Sequence, residues 1–122
     1  MKLLVDDFRD RKDVDLIARS YDAALFATDE IRFDVMYLDH DLASDKTGYH
    51  LVCHMIEKDL EMREYIDDIH YLGCTTMPKE IVIVSSNPVG VQNIERALAN
   101  YGYTVAYKGG NKVWVRDCVH SI

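Results

Sequence analysis

Glu80-Ile81-Val82-Ile83-Val84-Ser85-Ser86-Asn87-Pro88 is the stretch that decides the fold. From Ile81 to Val84 every side chain is β-branched and apolar, as a strand buried on both faces requires. Ser85-Ser86-Asn87-Pro88 then forms a helix-start signal, with proline placed near the first helical position. Val91, Ile94 and Leu98 continue as a helical apolar stripe, and Gly102 supplies a left-handed stop.

Working outward, the same alternation recurs. Lys2-Leu3-Leu4-Val5 is a short apolar run that ends on Asp6-Asp7. Phe8 to Asp13 reads as charged loop, and Val14 to Ser20 as a short strand. Ser20 then caps a helix from Tyr21 to about Glu30, in which Ala23, Ala24 and Ala27 favour the helical state. Phe33 to Leu38 is a second strong run, closing on Asp39-His40-Asp41-Leu42. Gly48 opens a helix through Leu51, Val52, Met55, Ile56 and Leu60. Met62, Tyr65, Ile66 and Ile69 extend the helical pattern until Gly73 to Pro78 breaks it. After Gly102, Thr104 to Tyr107 and Lys112 to Val115 flank Gly109-Gly110, which predicts a closing hairpin.

Strands alternating with helices predict a mainly parallel central sheet with helices on both faces. The expectation is a flavodoxin-like, three-layer α/β fold ending in a β-hairpin, with residues 1–122 as one domain. The chain has 48% hydrophobic and 29% charged residues, an ordinary globular balance. Its apolar runs are too short to span a membrane, and Asp6-Asp7 follows the start too closely for a signal peptide. A cytoplasmic, reducing location is therefore expected. Cys53, Cys74 and Cys118, odd in number and widely spaced, read as small thiols rather than disulfides or zinc ligands. A net charge of −7 disfavours nonspecific binding to nucleic acid. It leaves room for a small phosphorylated ligand, because a bound cation inverts the sign of one local site.

Parallel sheets bind ligands at the carboxyl ends of their strands. Asp6, Asp7, Asp39, Asp41, Ser85 and Asn87 all lie just past apolar runs, so one edge collects them. Taken singly, each aspartate is most simply a solvated loop residue or cap. Two clusters at two strand ends point instead to a hard cation, Mg²⁺ or Mn²⁺, on Asp6, Asp7 and Asp39, with Asp41 the alternative to Asp39 as the central carboxylate. Ser85 and Asn87 at a helix start offer donors and a positive dipole end to phosphate. Arg9 and Lys108 are further phosphate candidates. His40 and Asp41 are candidates for moving a proton. His50 and His54 are four apart on one helix face, but without an adjacent acidic pattern they read as surface or half-buried residues.

Val5-Asp6-Asp7, the run closing on Asp39, and Ser85 after the next strand resemble the response-regulator receiver domain. That resemblance implies Mg²⁺ on an acidic pair and a phosphorylatable aspartate. It also implies a hydroxyl on the phosphoryl group and a lysine closing the site, where Lys108 is the candidate. Asp6-Asp7-x-Arg9, Leu38-Asp39-His40-Asp41-Leu42, Thr47-Gly48-Tyr49 and Ser85-x-Asn87-Pro88-Val89-Gly90 resemble more closely the cyclic-phosphate processing receiver domain family. The family commonly carries a histidine where this chain has Val84, and receivers usually end in a helix rather than a hairpin.

Three functions follow as expectations. The first is a metal-dependent phosphoesterase acting on a small nucleotide or a cyclic phosphate, with Asp39, Asp41 and His40 catalytic. The second is a phospho-acceptor module in signalling. The third is a protein that sequesters a nucleotide. Asp41 favours the enzyme, since phosphoacceptance has no need of a second aspartate.

Overall fold

A computed structural model of the chain describes residues 1–66 and 76–116. Its elements are β1 (Lys2–Val5), β2 (Leu16–Ala18), α1 (Tyr21–Glu30), β3 (Val35–Leu38) and α2 (Gly48–Ile66). They continue as β4 (Glu80–Ile83), α3 (Pro88–Asn100), β5 (Thr104–Lys108) and β6 (Asn111–Val115). The strands form one sheet in the order β2-β1-β3-β4-β6-β5. The first four are parallel, with Leu4 beside Ile17 and Tyr37, and Met36 beside Ile81. β6 runs antiparallel between β4 and β5.

Local chemistry sets these boundaries. Ser20 Oγ accepts the Ala23 N–H at 3.1 Å, the N-cap that starts α1. Asn87 does the same for α3, its Oδ1 accepting the Gly90 N–H at 3.1 Å, with Pro88 in the first turn. At the start of α2, the Thr47 N–H donates to His50 Nδ1 at 3.0 Å, so His50 stabilises a helix end. Gly109 and Gly110 have φ of +57° and +81°, which the two-residue turn between β5 and β6 needs.

The core lies on one side of the sheet. Leu3, Val5, Met36, Leu38, Ile81 and Trp114 pack there against Ala24 and Ala27 of α1, Leu51 and Val52 of α2, and Ile94 and Leu98 of α3. The three helices among the described residues thus share one face. The reason is topological. The steps β2 to β3, β3 to β4 and β4 to β5 all move the same way along the sheet, and right-handed connections then place their helices on the same side. Apart from the hairpin return from β5 to β6, only the step from β1 to β2 moves back, and residues 6–15 make it without a helix. The mainly parallel sheet and the terminal hairpin are as the sequence predicts. On the second face, however, the expected helical layer is replaced among the described residues by this loop, whose Arg11 guanidinium lies 3.8 Å from the centroid of the Tyr37 ring.

One buried carboxylate ties the periphery together. Asp59 of α2, fully buried, accepts the Thr76 N–H at 2.9 Å and the Tyr101 hydroxyl. Arg63 and Arg116 lie 3.3 and 3.4 Å from its Oδ2. Cys53 is a half-buried free thiol, whereas Cys74, Cys118, Ile69 and Gly73 lie outside the described residues. No helix among the described residues is long and apolar enough to cross a membrane.

Candidate functional site

Sheet hydrogen bonding continues past the apolar runs and draws the polar tips together. The Asp6 N–H donates to the Ala18 carbonyl at 3.1 Å, and the Asp39 N–H to the Val5 carbonyl at 2.9 Å. The Val84 N–H reaches the Leu38 carbonyl at 2.9 Å. Asp6, Asp7 and Asp39 each present an oxygen within 4.8 Å of the others, Asp6 and Asp39 buried and Asp7 exposed. Three carboxylate oxygens in this space suit a hard divalent cation such as Mg²⁺ or Mn²⁺.

The loop after β1 organises itself on Asp6. Its Oδ1 accepts the N–H groups of Phe8 and Arg9 at 2.9 and 2.8 Å, and its Oδ2 accepts Arg9 Nη1 at 3.0 Å. The same Nη1 lies 3.4 Å from Asp39 Oδ2. Arg9, a candidate for phosphate in the sequence, is thus placed as the shared counter-ion of both buried carboxylates.

The two carboxylates are pushed apart in acidity. Burial pushes the Asp6 carboxyl up, but the backbone N–H groups of Arg9 and Phe8 and the Arg9 guanidinium outweigh it and hold the group below its ordinary value. Asp39 is held above its ordinary value by burial and by the Asp6 charge. The Asp41 N–H, the Ser85 hydroxyl and Arg9 offset only part of that.

Across the edge, Ser85 hydrogen-bonds Asp39, and its Oγ accepts the Asn87 N–H at 3.1 Å. Asn87 Nδ2 donates to Asp41 Oδ1 at 3.4 Å, and the same oxygen lies 3.0 Å from His40 Nδ1. His40 is therefore held by Asp41 on one side and packs against the first turn of α3 on the other. A Cβ on Gly90 would come within 2.3 Å of His40 Cγ. A Cβ on Gly48 would come within 2.2 Å of the Asp39 carbonyl oxygen, while the Gly48 N–H donates to the His40 carbonyl at 2.8 Å. The two glycines of the sequence motifs make room for the Asp39-His40 turn.

Of the sequence candidates, Asp6, Asp7, Arg9, Asp39, His40, Asp41, Ser85 and Asn87 meet at this edge. Lys108 does not join them. Its Nζ pairs with Glu80 Oε2 at 2.7 Å, because β6 inserts between β4 and β5 and carries the lysine one strand further from Asp39. His54 pairs with Asp29 at 3.3 Å, away from the edge. The role of Gly48 and Gly90 in seating Asp39 and His40 escaped the sequence reading, although both glycines stand in the quoted motifs.

A family model described as the cyclic-phosphate processing receiver domain matches residues 1–100. No match was found among curated proteins or among solved structures. With that model spanning β1 to the end of α3 and the acidic edge inside it, the chain belongs to the cyclic-phosphate processing receiver domain family.

Proposed function

We propose that the domain is a metal-dependent phosphoesterase that opens or hydrolyses a cyclic phosphate on a small nucleotide or nucleotide end. The observation that carries this reading is the convergence of Asp6, Asp7 and Asp39 from two strand ends beside the Ser85-Asn87 helix start. Asp6, Asp7 and Asp39 would hold Mg²⁺ or Mn²⁺. When bound, such an ion supplies charge neutralisation at the phosphoryl oxygens and an acidified water.

The chain's own groups cover the remaining needs. Ser85, Asn87 and the positive end of α3 orient the phosphate. Arg9, half exposed on the rim of the carboxylate pair, presents guanidinium N–H groups to a phosphoryl oxygen. His40, oriented through Nδ1 by Asp41, leaves Nε2 to carry a proton between water and the leaving oxygen. Groups held in place before the reaction cost nothing to reorganise during it.

The phospho-acceptor reading draws support from the Ser85 bond to Asp39. The pairing of Lys108 with Glu80 weighs against it, since the receiver resemblance calls for a lysine at the phosphoryl group. Incubation with Mg²⁺ and a panel of 2′,3′- and 3′,5′-cyclic nucleotides separates the two. Turnover lost in Asp39→Asn supports the enzyme. A stable phosphoryl group on Asp39 after acetyl phosphate treatment, with no turnover of any cyclic nucleotide, would replace it with the signalling role.

A further inference from the structure

The helix-free face of the sheet carries a cleft of about 370 Å³. Its floor is Val82 of β4, Val84 just past the end of that strand, and Val113 of β6, side chains that point away from the helices. One wall is Arg11, pinned to Asp13 at 2.7 Å and stacked on Tyr37. The other wall carries Lys108, paired with Glu80.

We propose that this cleft is the base-binding half of a nucleotide site whose phosphate half is the carboxylate edge. Three features carry the assignment. The first is position: Val84 is followed directly by Ser85, and Arg11 is two residues from Arg9. Tyr37 is two residues from Asp39, so the floor and the Arg11 wall of the cleft stand on the chain segments that carry the acidic edge. The second is shape and chemistry. A flat floor of β-branched side chains and an arginine plane over an aromatic ring match the faces of a nucleobase, which stacks readily on guanidinium groups. The Lys108–Glu80 pair offers both a donor and an acceptor to the base edge, and because its lysine is more than half exposed, exchanging it for a ligand contact costs little. The third is size, since 370 Å³ lies within the range of about 300–1,000 Å³ typical of small-ligand pockets.

The orientation of the nucleotide rests on the phosphoesterase reading, whereas occupancy of the cleft does not. The experiment follows the methyl resonances of Val82, Val84 and Val113 during titration with the four ribonucleosides, which lack phosphate, and with their 2′,3′-cyclic monophosphates in Mg²⁺. Saturable shifts at these methyls with at least one nucleoside are expected. Arg11→Ala, at a side chain 39% exposed and with its fold checked by a thermal melt, is expected to weaken both nucleoside and cyclic nucleotide at least tenfold. Asp39→Asn is expected to leave nucleoside binding unchanged. Absence of shifts with every nucleoside and nucleotide, or unaltered binding in Arg11→Ala, overturns the proposal. If nucleosides bind at these methyls but no cyclic nucleotide is turned over, the cleft stands and the phosphoesterase reading falls. If cyclic nucleotides are turned over with a KM indifferent to Arg11→Ala, the reverse holds.

Discussion

The imidazole of His40 fills the space that a side chain on Gly90 would need, with only 2.3 Å between its Cγ and an ideal Cβ there. Strand end and helix start are therefore matched as a large residue against an absent one. Gly90→Ala is expected to cost about 1–3 kcal/mol by overcrowding. The double variant with His40→Ala should recover most of that loss, and a double-mutant cycle by chemical denaturation measures the coupling. Additive effects would show that the two residues do not compete for space.

At Gly48 the neighbour is backbone, which cannot rotate aside. Gly48→Ala should destabilise the fold by at least as much as Gly90→Ala, and His40→Ala should give it no relief. Paired denaturation curves check this contrast.

Asp39 and Asp6 make opposite contributions to stability with pH. The folded-state pKa of Asp39 lies above its ordinary value of 3.8, through burial first and then the Asp6 charge. Ionising it therefore costs the folded state stability as pH rises through that raised value. Asp6 lies below 3.8, so its contribution is present at neutral pH and is lost as pH falls through its lowered value. Asp39→Asn, without added metal, should be more stable than the parent at pH 7 by about 0.5–2 kcal/mol. That advantage should vanish below pH 3.8, where the parent carboxyl is protonated in both states. Thermal melts from pH 3 to 7 test both ends of the window.

Metal addition should reverse the ranking. At free Mg²⁺ one hundredfold above its dissociation constant, the parent gains about 2.7 kcal/mol, several degrees in Tm, while Asp39→Asn gains far less. Equal shifts in both proteins would remove the acidic edge as the binding place. In the phosphoesterase reading, His40→Ala should lower kcat by about 10²–10⁴-fold. Asp41→Asn should change the pH profile of kcat, because it alters the partner of Nδ1.

Asp59 is a purely structural counterpart. Removing its carboxylate takes away the buried acceptor that Arg63, Arg116 and Tyr101 share, so Asp59→Ala should cost about 3–5 kcal/mol. The loss appears as a lower urea midpoint with metal affinity retained in the folded fraction.

The parts of the fold encoded within a few residues were legible in advance. Ser20 and Asn87 act as caps because each side-chain oxygen reaches an N–H three residues on, a relation visible in the sequence. The meeting of Asp6 with Asp39 was legible for the same reason, since parallel strands with right-handed connections place their tips along one edge. Lys108 went elsewhere because its position depends on where β6 inserts, a choice made by pairing between distant strands. The pairing of Arg9 with the buried carboxylate three residues away was not legible, because it depends on how the loop after β1 folds back on Asp6. Helices were expected on both faces because periodicity states that a helix exists without stating which side of the sheet receives it. Asp59 escaped the sequence reading although Arg63 stands four residues on, because its other partners, Thr76, Tyr101 and Arg116, arrive from ahead of β4, from the end of α3 and from the end of β6.

The insertion of β6 between β4 and β5 also bears on synthesis. During translation β5 leaves the ribosome before the strand that must join it to the sheet. Until Asn111–Val115 emerges, the Glu80–Ile83 edge has exposed N–H and C=O groups with no neighbour on that side, a template for unwanted pairing with other chains. Completion of the sheet is thus deferred to the last described strand, and a pause in elongation shortly before it should raise aggregation of the nascent chain more than a pause after it.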